Sequence, residues 1–422
     1  MNEPFRPAKG CVTAPKGFRA AAVACDIRGH GKKGRLDLAI IASVVPCHAA
    51  GTFTTNQIKA APVKLTRKHL RDRRAQAIVV NSGNANACTG VQGMQDAARM
   101  AEETARLLGL KPWEVLVCST GRIGTPLPMK KVIGGIQEAA ARLGDTKFSH
   151  SPKAGELAAR AITTTDTKPK QVAVQFELDG KEVTIGGICK GAGMIAPGMS
   201  ESGEPPALHA TMLSFLTTDA AVERRTLQEC LNRAVAQSFN SVTVDGDMST
   251  NDTVLLLANG IAGNEPLSAN HPALPTFQAA LNHVTGELAR RIARDGEGAS
   301  KFITVRVTGA ASNHDAQIAA HSIANSSLCK TAWYGGDSNW GRILDAVGYS
   351  PAKIVEEKAD VAYNGEYVFR GGQPAKHSKK LSKILRQREF TVEVNLHLGD
   401  GAATVYTCDL THEYVSINKA KE

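Results

Sequence analysis

The sequence predicts a mixed α/β protein, because β-rich segments and helical patterns alternate along most of the chain. Strand-like segments recur from residue 36 to residue 396, and turn-forming residues bound each of them. Small and apolar residues repeat at helical spacing between these segments. This intermixing excludes an all-helical bundle and an all-β sandwich, but it does not choose between parallel and mixed sheets.

The predicted elements are short and follow one another in a regular order. The strand pattern covers residues 36–45, 77–80, 115–118, 172–178, 253–257, 302–307 and 390–396. Two helical patterns lie between them, at positions 94, 97, 98, 101, 105 and 108, and at positions 227, 230, 231, 234, 235 and 239. The most linker-like stretch is SESGEPPALH at residues 200–209, where prolines and a glycine oppose regular structure.

The composition is that of a globular protein with two compact regions. The chain has 422 residues, of which 42% are hydrophobic and 21% are charged. It contains no run of about 18 apolar residues, the length that spans a bilayer, and residues 1–10 lack the apolar core of a secretory signal. We therefore expect a cytoplasmic protein that neither enters a membrane nor is exported.

Charge and cysteine usage limit the range of partners. The net charge is +10, with basic clusters at residues 71–74 and 379–383, but aromatic residues make up only 5% and no nucleic-acid module accompanies the charge. We expect no nucleic-acid partner, and we interpret the charge as solvated surface that attracts small carboxylate substrates. The nine scattered cysteines form no Cys-x-x-Cys pair, which favours reduced thiols and no structural metal.

Two motifs resemble ligand sites without the required context. Residues 29–34 satisfy the G-x-G-x-x-G pattern, but the next segment has the pattern of a strand rather than a helix, so a hairpin turn is predicted and no dinucleotide. Asp245, Asp247 and Asp252 lack calcium-loop spacing and are interpreted as structural loop residues near the site. No motif calls for a cofactor.

Thr211 is the candidate nucleophile. It lies in ATML at residues 210–213, after the glycine-rich segment KGAGMIAP at residues 190–197 and before TTDA at residues 217–220. A threonine hydroxyl is a weak nucleophile, and threonine enzymes commonly use the residue's own α-amine, with a pKa of about 7.7 to 8.0, as the base. Thr211 acquires that amine only if the Ala210–Thr211 bond is cut.

Motifs along nearly the whole chain resemble one family. They include GTFTTN at 51–56, NSGNANACTG at 81–90, STGRIG at 119–124, DGDMSTND at 245–252, DGEGASK at 295–301, NWGRIL at 339–344 and CDLT at 408–411. In this set and order they resemble the ornithine acetyltransferases, bifunctional glutamate N-acetyltransferase/amino-acid acetyltransferase enzymes of arginine biosynthesis. The resemblance implies layered helices packed on mixed β-sheets, with a smaller second α/β region toward the C-terminus.

The resemblance also implies roles for particular residues. Self-cleavage at Ala210–Thr211 would yield an alpha fragment, residues 1–210, and a beta fragment, residues 211–422, that fold together in an assembly of two alpha and two beta fragments. Thr120 and Gly121 would form the oxyanion hole. The substrate-binding residues would be a threonine at 164 or 165, Lys190, Thr211, Glu297 and Asn418.

The implied reaction moves an acetyl group from N-acetylornithine to glutamate through an acetyl-Thr211 intermediate. Lys190 would suit a substrate carboxylate and Glu297 an ammonium group, although the sequence does not say which charge meets which end. No motif decides whether acetyl-CoA also serves as a donor, as it does for some members of the family.

The chain departs from the family pattern at two places. Residues 200–209 are additional between Lys190 and Thr211 and end beside the scissile bond, where they could disturb the geometry that self-cleavage needs. His209 of this segment is interpreted as an incidental loop histidine. The family pattern also continues past the asparagine at 418 to a further hydroxyl residue, whereas this sequence ends at Glu422.

The sequence is also compatible with two other functions. An amidase or aminopeptidase with an N-terminal nucleophile would pass the acyl group to water instead of glutamate. An uncleaved, non-catalytic member of the family would keep the Ala210–Thr211 bond intact.

Overall fold

The described chain forms two compact units, each built on its own β-sheet. The structure, a computed structural model, describes residues 5–29, 31, 34–196, 198–200, 212–376 and 379–419. Within these residues, the first unit takes segments 1–191, 197–240 and 247–289, and the second takes 192–196, 241–246 and 290–422. The predicted mixed α/β fold with a smaller second α/β region is confirmed.

The sheet of the first unit is mixed. Its described strands are β1 Phe5–Pro7, β2 Phe18–Val23, β3 Leu38–Thr54, β4 Arg74–Asn84, β5 Val115–Arg122, β6 Lys170–Leu178, β7 Lys181–Lys190, β8 Met199–Ser200, β9 Leu213–Thr218 and β10 Thr253–Ala258. They follow the spatial order β1-β6-β7-β9-β10-β3-β4-β5, and β2 and β8 pair with β3. The pairs β4–β5 and β9–β10 are parallel, and the others are antiparallel.

Helices cover both faces of this sheet. They are α1 Ala61–His69, α2 Gly90–Leu108, α3 Met129–Leu143, α4 Thr146–Ser149, α5 Pro152–Ala161, α6 Arg224–Gln237 and α7 Leu274–Arg294, of which the last five residues belong to the second unit. Side chains alternate along a strand, so Ile41 of β3 joins one core, which includes α5, while Ile40 joins the other, which includes α2 and α3. A sheet buried on both faces explains why its strands are continuous apolar runs.

The second unit has a smaller sheet. Its described strands are β11 Phe302–Ala310, β12 Asp360–Tyr363, β13 Glu366–Arg370, β14 Gln373–Pro374, β15 Glu389–Asn395 and β16 Gly401–Cys408, in the order β14-β13-β12-β15-β11-β16. Its helices are α8 Asn313–Asn325, α9 Ser327–Gly335, α10 Trp340–Gly348, α11 Lys379–Leu385 and α12 His412–Asn418. Trp333 and Tyr363 are fully buried in its core, and the indole N–H of Trp333 donates to the Tyr363 hydroxyl at 3.3 Å.

All seven predicted strands are present, and each extends past at least one of its predicted ends, most of all β3, β4 and β5. The strand predicted at 36–45 runs from Leu38 to Thr54, and the one predicted at 77–80 is β4, Arg74–Asn84. The strand predicted at 115–118 continues to Arg122, so Thr120 and Gly121 are its last residues rather than a turn behind it. Backbone pairing with β4 extends β5 beyond its apolar core.

The strands that flank residues 24–37, β2 and β3, pair antiparallel, as the predicted hairpin requires, and the next element among the described residues is a strand rather than a helix. Across the described part of the chain, no helix combines the length and apolar character needed to cross a membrane.

Two glycines should respond oppositely to alanine. A Cβ on Gly186 of β7 would lie 1.9 Å from the backbone oxygen of Cys11, so Gly186→Ala should lower the free energy of unfolding by about 1–3 kcal/mol. Gly134 in α3 has open space around its Cβ position, so Gly134→Ala should raise it by about 0.5–1 kcal/mol. Urea unfolding of the two variants checks both signs. A Gly186→Ala protein as stable as wild type would show that the Cys11 backbone does not lie against β7.

Candidate active site

The predicted site residues fall in both units. Thr120, Gly121, Thr164, Thr165 and Lys190 belong to the first unit, and Glu297 and Asn418 belong to the second. Ala210, Thr211 and most of the additional segment, including His209, lie outside the described residues.

In the first unit, the carboxylate of Asp166 organises the site. Its side chain is fully buried and forms an ion pair with Lys170 at 2.7 Å. Oδ1 also accepts the backbone N–H of Gly191 at 2.7 Å, and Oδ2 accepts that of Thr164 at 3.0 Å. One carboxylate therefore joins the loop of residues 163–167, here called the threonine loop, to Gly191, the residue after Lys190. Thr164 and the backbone beside Lys190 are held by the same group, whereas the side chain of Thr165 is exposed.

Asp166 remains ionised in spite of its burial. Burial raises the pKa of a carboxyl group, but the charges of Lys170 and Lys190 and the Gly191 N–H outweigh this effect and lower the pKa of Asp166 to about 2. Lys190 is itself only 3% exposed. The loop and the glycine-rich turn thus enclose a network of one carboxylate and two ammonium groups, and such a network is stable only when its members are paired and hydrogen-bonded.

A second buried carboxyl group, that of Asp252, meets the chain one residue after Thr211. The backbone N–H of Met212 donates to Oδ1 of Asp252. Thr54 donates its hydroxyl proton to the Ser249 carbonyl at 2.8 Å, and Oδ2 of Asp252 accepts no hydrogen bond from the described residues. Asp252 was predicted to be a structural loop residue near the site, and here it anchors the start of β9.

The two carboxyl groups differ in their protonation. Complete burial raises the pKa of Asp252 well above its ordinary value, and the Met212 amide and the charge of Lys190 offset only part of that effect. Asp166 has Lys170 beside it, but no ion pair joins Asp252 to a described residue. The pair of groups around Lys190 therefore combines a firmly ionised carboxylate with one that favours its neutral form.

Thr120 and Gly121 lie close to this cluster. Asn251, the neighbour of Asp252, donates its side-chain N–H groups to the carbonyls of Ser119 at 2.8 Å and Ala85 at 2.7 Å. Gly121 has φ +135°, and a Cβ there would lie 2.3 Å from the backbone of Gly83, so only glycine fits. Because the ends of β4 and β5 approach so closely, main-chain N–H groups rather than side chains border this edge.

Three arginines, Arg28, Arg35 and Arg122, lie near the C-terminal ends of β4 and β5. The side chain of Arg28 packs on Gly83, and Arg35 donates to the carbonyls of residues 163 and 164 at 3.2 Å each. Burial lowers the pKa of Arg28, and the charges of Arg35 and Arg122 lower it further. Cations that repel one another in this way create a positive potential beside the threonine loop, which suits a substrate that carries carboxylates.

The two predicted site residues of the second unit contact each other. Nδ2 of Asn418 donates to Oε2 of Glu297 at 2.7 Å, and the Glu297 N–H donates to the Ala192 carbonyl at 2.8 Å. A Cβ on Gly193 would lie 2.3 Å from the Glu297 carboxyl carbon, which explains the second glycine of the KGAGM motif. The side chains of these two predicted substrate-binding residues are thus in direct contact within the second unit.

The other acidic residues considered above are structural or exposed. Asp245 accepts the N–H groups of Met194 at 2.6 Å and Ile195 at 2.8 Å, so it fixes a turn, and Asp247 is exposed. Among the described residues, no group of three or more His, Cys, Asp or Glu side chains is placed to share a metal ion. All nine cysteines are free thiols.

Sequence reasoning missed the supporting residues of the site. Lys170 is four residues from Asp166, a spacing that signals an ion pair only within a helix, whereas Lys170 begins a strand. The contacts of Asn251 join residues 132 and 166 positions apart, and no local pattern announces such contacts.

Comparison with known proteins gives a consistent family. The model of the ArgJ family matches residues 19–421. The arginine biosynthesis bifunctional protein ArgJ of Symbiobacterium thermophilum is 50% identical over 410 residues, covering 97% of this chain and 98% of that protein. The protein of the same name from Geobacter sulfurreducens is 48% identical over 405 residues, covering 96% and 98%. The structure of ornithine acetyltransferase from Mycobacterium tuberculosis, complexed with ornithine, is 42% identical over 46% of this chain and 100% of that chain, with a TM-score of 0.42.

Loss of the cation that pairs with Asp166 should be costly. Lys170→Met leaves a buried carboxylate without its partner, so we expect the free energy of unfolding at pH 7 to fall by about 3–5 kcal/mol. The double variant Asp166→Asn/Lys170→Met should recover part of that loss, because it also removes the buried carboxylate that the single substitution leaves without its contacting cation. Urea unfolding of wild type, both single variants and the double variant measures the coupling.

The Asp166–Lys170 ion pair also predicts that the free energy of unfolding depends on pH. The pKa of Asp166 is lowered on folding, so its stabilising contribution is present above pH 4 and is lost as the pH falls from about 4 toward about 2. Stability curves of wild type and Asp166→Asn should therefore converge across that window. Parallel curves would contradict the pairing.

Substitutions of Asp252 should separate its role as a hydrogen-bond acceptor for Met212 from the effect of its ionisation on stability. Asp252→Asn keeps an oxygen acceptor for the Met212 N–H, whereas Asp252→Ala leaves that donor buried without a partner and should cost about 1–3 kcal/mol. The raised pKa of Asp252 means that wild type loses stability relative to Asp252→Asn as the pH rises above about 4. Urea unfolding between pH 4 and 8 measures the difference. A wild-type advantage that grows with pH would instead indicate that ionised Asp252 stabilises the fold.

Proposed function

This chain belongs to the ArgJ family, and from that membership we propose that it transfers acetyl groups through Thr211 after cleavage of the Ala210–Thr211 bond. The chain is a bifunctional enzyme of arginine biosynthesis and an acetyltransferase. The reaction that fits is transfer from N-acetylornithine to glutamate.

One observation in the structure carries the assignment of Thr211. The residue that follows it, Met212, is held by a fully buried carboxyl group, that of Asp252. Lys190 acts electrostatically on both Asp252 and Asp166, and Asp166 holds Thr164 and Gly191. The backbone next to the nucleophile thus shares one network with two of the proposed substrate-binding residues, and rigid support of this kind favours an attack-ready geometry.

Self-cleavage would create the working nucleophile. The Thr211 hydroxyl oxygen attacks the Ala210 carbonyl carbon, the C–N bond breaks as the nitrogen takes up a proton, and an ester replaces the amide. Water then hydrolyses the ester, which leaves a carboxylate on Ala210 and a free α-amine on Thr211. The amine becomes the base for the next reaction.

Acetyl transfer would follow in two balanced steps. Thr211 Oγ gives its proton to the α-amine and attacks the acetyl carbonyl of N-acetylornithine; the amide C–N bond breaks, and ornithine leaves with that proton. The amine of glutamate then attacks the acetyl ester, restores the threonine hydroxyl and leaves as N-acetylglutamate. Kinetics of the ping-pong type follow from the covalent intermediate.

The remaining proposed roles agree with the chemistry of each position. N–H or hydroxyl donors of Thr120 and Gly121 would stabilise the oxyanion, an effect typically worth about 3–4 kcal/mol per donor. Lys190 would bind a substrate carboxylate, with Thr164 or Thr165 beside it. Glu297 and Asn418 of the second unit are the other proposed substrate-binding residues.

We further propose a second acetyl donor, an oligomeric assembly and a cellular compartment for the enzyme. Acetyl-CoA serves as a second acetyl donor, which would account for the bifunctional name of the relatives. The cleaved protein assembles from two alpha and two beta fragments. The enzyme works in the cytoplasm, the usual compartment of arginine biosynthesis enzymes.

Intact-mass measurement under denaturing conditions tests the nucleophile. We expect wild type to give two fragments that meet at Ala210–Thr211 and together account for the 44.7 kDa chain. Thr211→Ala should give one uncut chain, because it lacks the attacking hydroxyl. Thr217→Ala, which alters a buried threonine elsewhere in the same segment, is the control and should still be cut.

An uncut wild-type chain would favour the non-catalytic alternative. If the chain is cut, incubation with N-acetylornithine and glutamate distinguishes the remaining functions. Formation of N-acetylglutamate supports the transferase, whereas release of acetate alone would assign the amidase reaction.

A further inference from the structure

One cavity of the first unit is lined by cations and lies apart from the residues proposed above for catalysis and substrate binding. It has a volume of about 750 Å³ and lies against α1, the turn after it, β3 and α6. Its lining residues are Gly51, Phe53, Lys64, Arg67, Lys68, Leu70, Arg71, Arg73, Ser200 and Gln228. Five of these ten are basic, and none is acidic.

The cations are arranged on one face rather than scattered. Lys64, Arg67 and Lys68 follow the i, i+3, i+4 spacing of one face of α1, and Arg71 lies in the short 3₁₀ turn of residues Leu70–Asp72 that follows. Like charges at these spacings destabilise a helix, and no described carboxylate lies within ion-pair distance of the four. The helix dipole favours Arg67 and Lys68 in the last turn of α1, but it does not account for Lys64 or Arg71.

Arg73 reaches the same cavity from a strained backbone. Its φ of +50° is left-handed, which is uncommon for a residue other than glycine. The Arg73 carbonyl accepts the N–H of Ala49 at 2.9 Å, which holds this conformation in place. Arg73 ends the 3₁₀ turn after α1, so this turn fixes the position of the residue beside the cavity.

The floor of the cavity is rigid and neutral. The side-chain amide of Gln228, which is 4% exposed, donates to the Gly51 carbonyl at 3.0 Å and accepts the Gly51 N–H at 3.1 Å. Phe53 is buried beside it. The cavity therefore has a fixed base and a basic wall, which is the arrangement that concentrates anions.

The size of the cavity and the number of cations indicate the class of ligand. A cavity of 300–1,000 Å³ is usual for a small molecule, and a single inorganic anion would engage only part of a face of five cations. Guanidinium and ammonium groups are the common partners of phosphate. We propose that this cavity binds the phosphate-bearing part of a nucleotide, either the nucleotide end of an acetyl-CoA donor or a free nucleotide.

The cavity is close enough to the nucleophile segment to serve a donor. Phe53 pairs with Thr253, and Thr253 pairs with Leu213. Two strand spacings of about 4.8 Å therefore separate the cavity wall from the backbone two residues after Thr211. An extended pantetheine arm can span that distance. The donor form of the proposal rests on the proposed function, whereas the free-nucleotide form does not.

Calorimetric titration of the wild-type protein tests the class of ligand. We expect coenzyme A and ADP to bind at low ionic strength, with affinities that fall as salt is added, because the contacts are ionic. Pantetheine, which has no phosphate, should bind at least about tenfold more weakly than coenzyme A. Equal binding of coenzyme A and pantetheine, or no binding of either phosphorylated ligand, would overturn the proposal. These titrations need no variant.

A matched pair of double variants locates the binding. Lys64→Gln/Lys68→Gln removes two exposed lysines at i, i+4 from the cavity wall, and we expect the affinity for coenzyme A and ADP to fall about tenfold or more. Lys379→Gln/Lys383→Gln removes two exposed lysines of the same spacing from α11 and should leave both affinities within about twofold. Equal losses in both variants would show non-specific attraction and sink the proposal.

Kinetics distinguish the two sources of the nucleotide. A raised KM for acetyl-CoA in the acetylation of glutamate by Lys64→Gln/Lys68→Gln, with kcat retained, would identify the donor. Weakened binding of ADP with an unchanged KM for acetyl-CoA would identify a free nucleotide. Absence of transfer from N-acetylornithine by wild type would contradict the proposed function while leaving a positive binding result intact.

Discussion

The site in the first unit depends on the burial of one charge. A carboxylate that loses its water is stable only if paired and hydrogen-bonded, and Asp166 meets this requirement with Lys170 and the N–H groups of Thr164 and Gly191. These partners come from three places in the chain, so satisfying the charge also fixes the loop, the start of β6 and the turn after β7 relative to one another. The geometry around Lys190 is thus a consequence of an electrostatic requirement.

The pKa of the second buried carboxyl group, that of Asp252, is shifted in the opposite direction from that of Asp166. Lys190 lowers the pKa of both Asp166 and Asp252, but only Asp166 has a further cation in contact. Burial therefore prevails at Asp252 and raises its pKa, whereas the two lysine charges prevail at Asp166 and lower its pKa. The lower negative charge at Asp252 leaves more of the positive charge of Lys190 available to the anionic substrate that we propose it binds.

Much of the fold could be predicted from local patterns, and much of the site could not. The strand at 253–257 and the helix that contains residues 94–108 were predictable because burial on regular elements leaves a periodic signal. Thr120 and Gly121 were found through a motif, but the extension of β5 to Arg122 depends on pairing with β4, which no window along the chain contains. Asp166, Lys170 and Asn251 act through contacts between distant segments, so their roles emerged only from the fold.

The extra residues between Lys190 and Thr211 are compatible with this architecture because the sheet holds both sides of them. Ser200 pairs with Phe53 of β3, and Leu213 pairs with Thr253 of β10, which itself pairs with Phe53. The ladder sets the separation of these two anchors, whatever the number of residues between them. Lengthening a connection whose ends are fixed costs little free energy, about 0.6 kcal/mol for a doubling of a flexible loop. Since the hydrogen bond from the Met212 N–H to Asp252 involves no residue of 200–209, the backbone beside the proposed nucleophile is held whatever the length of that segment.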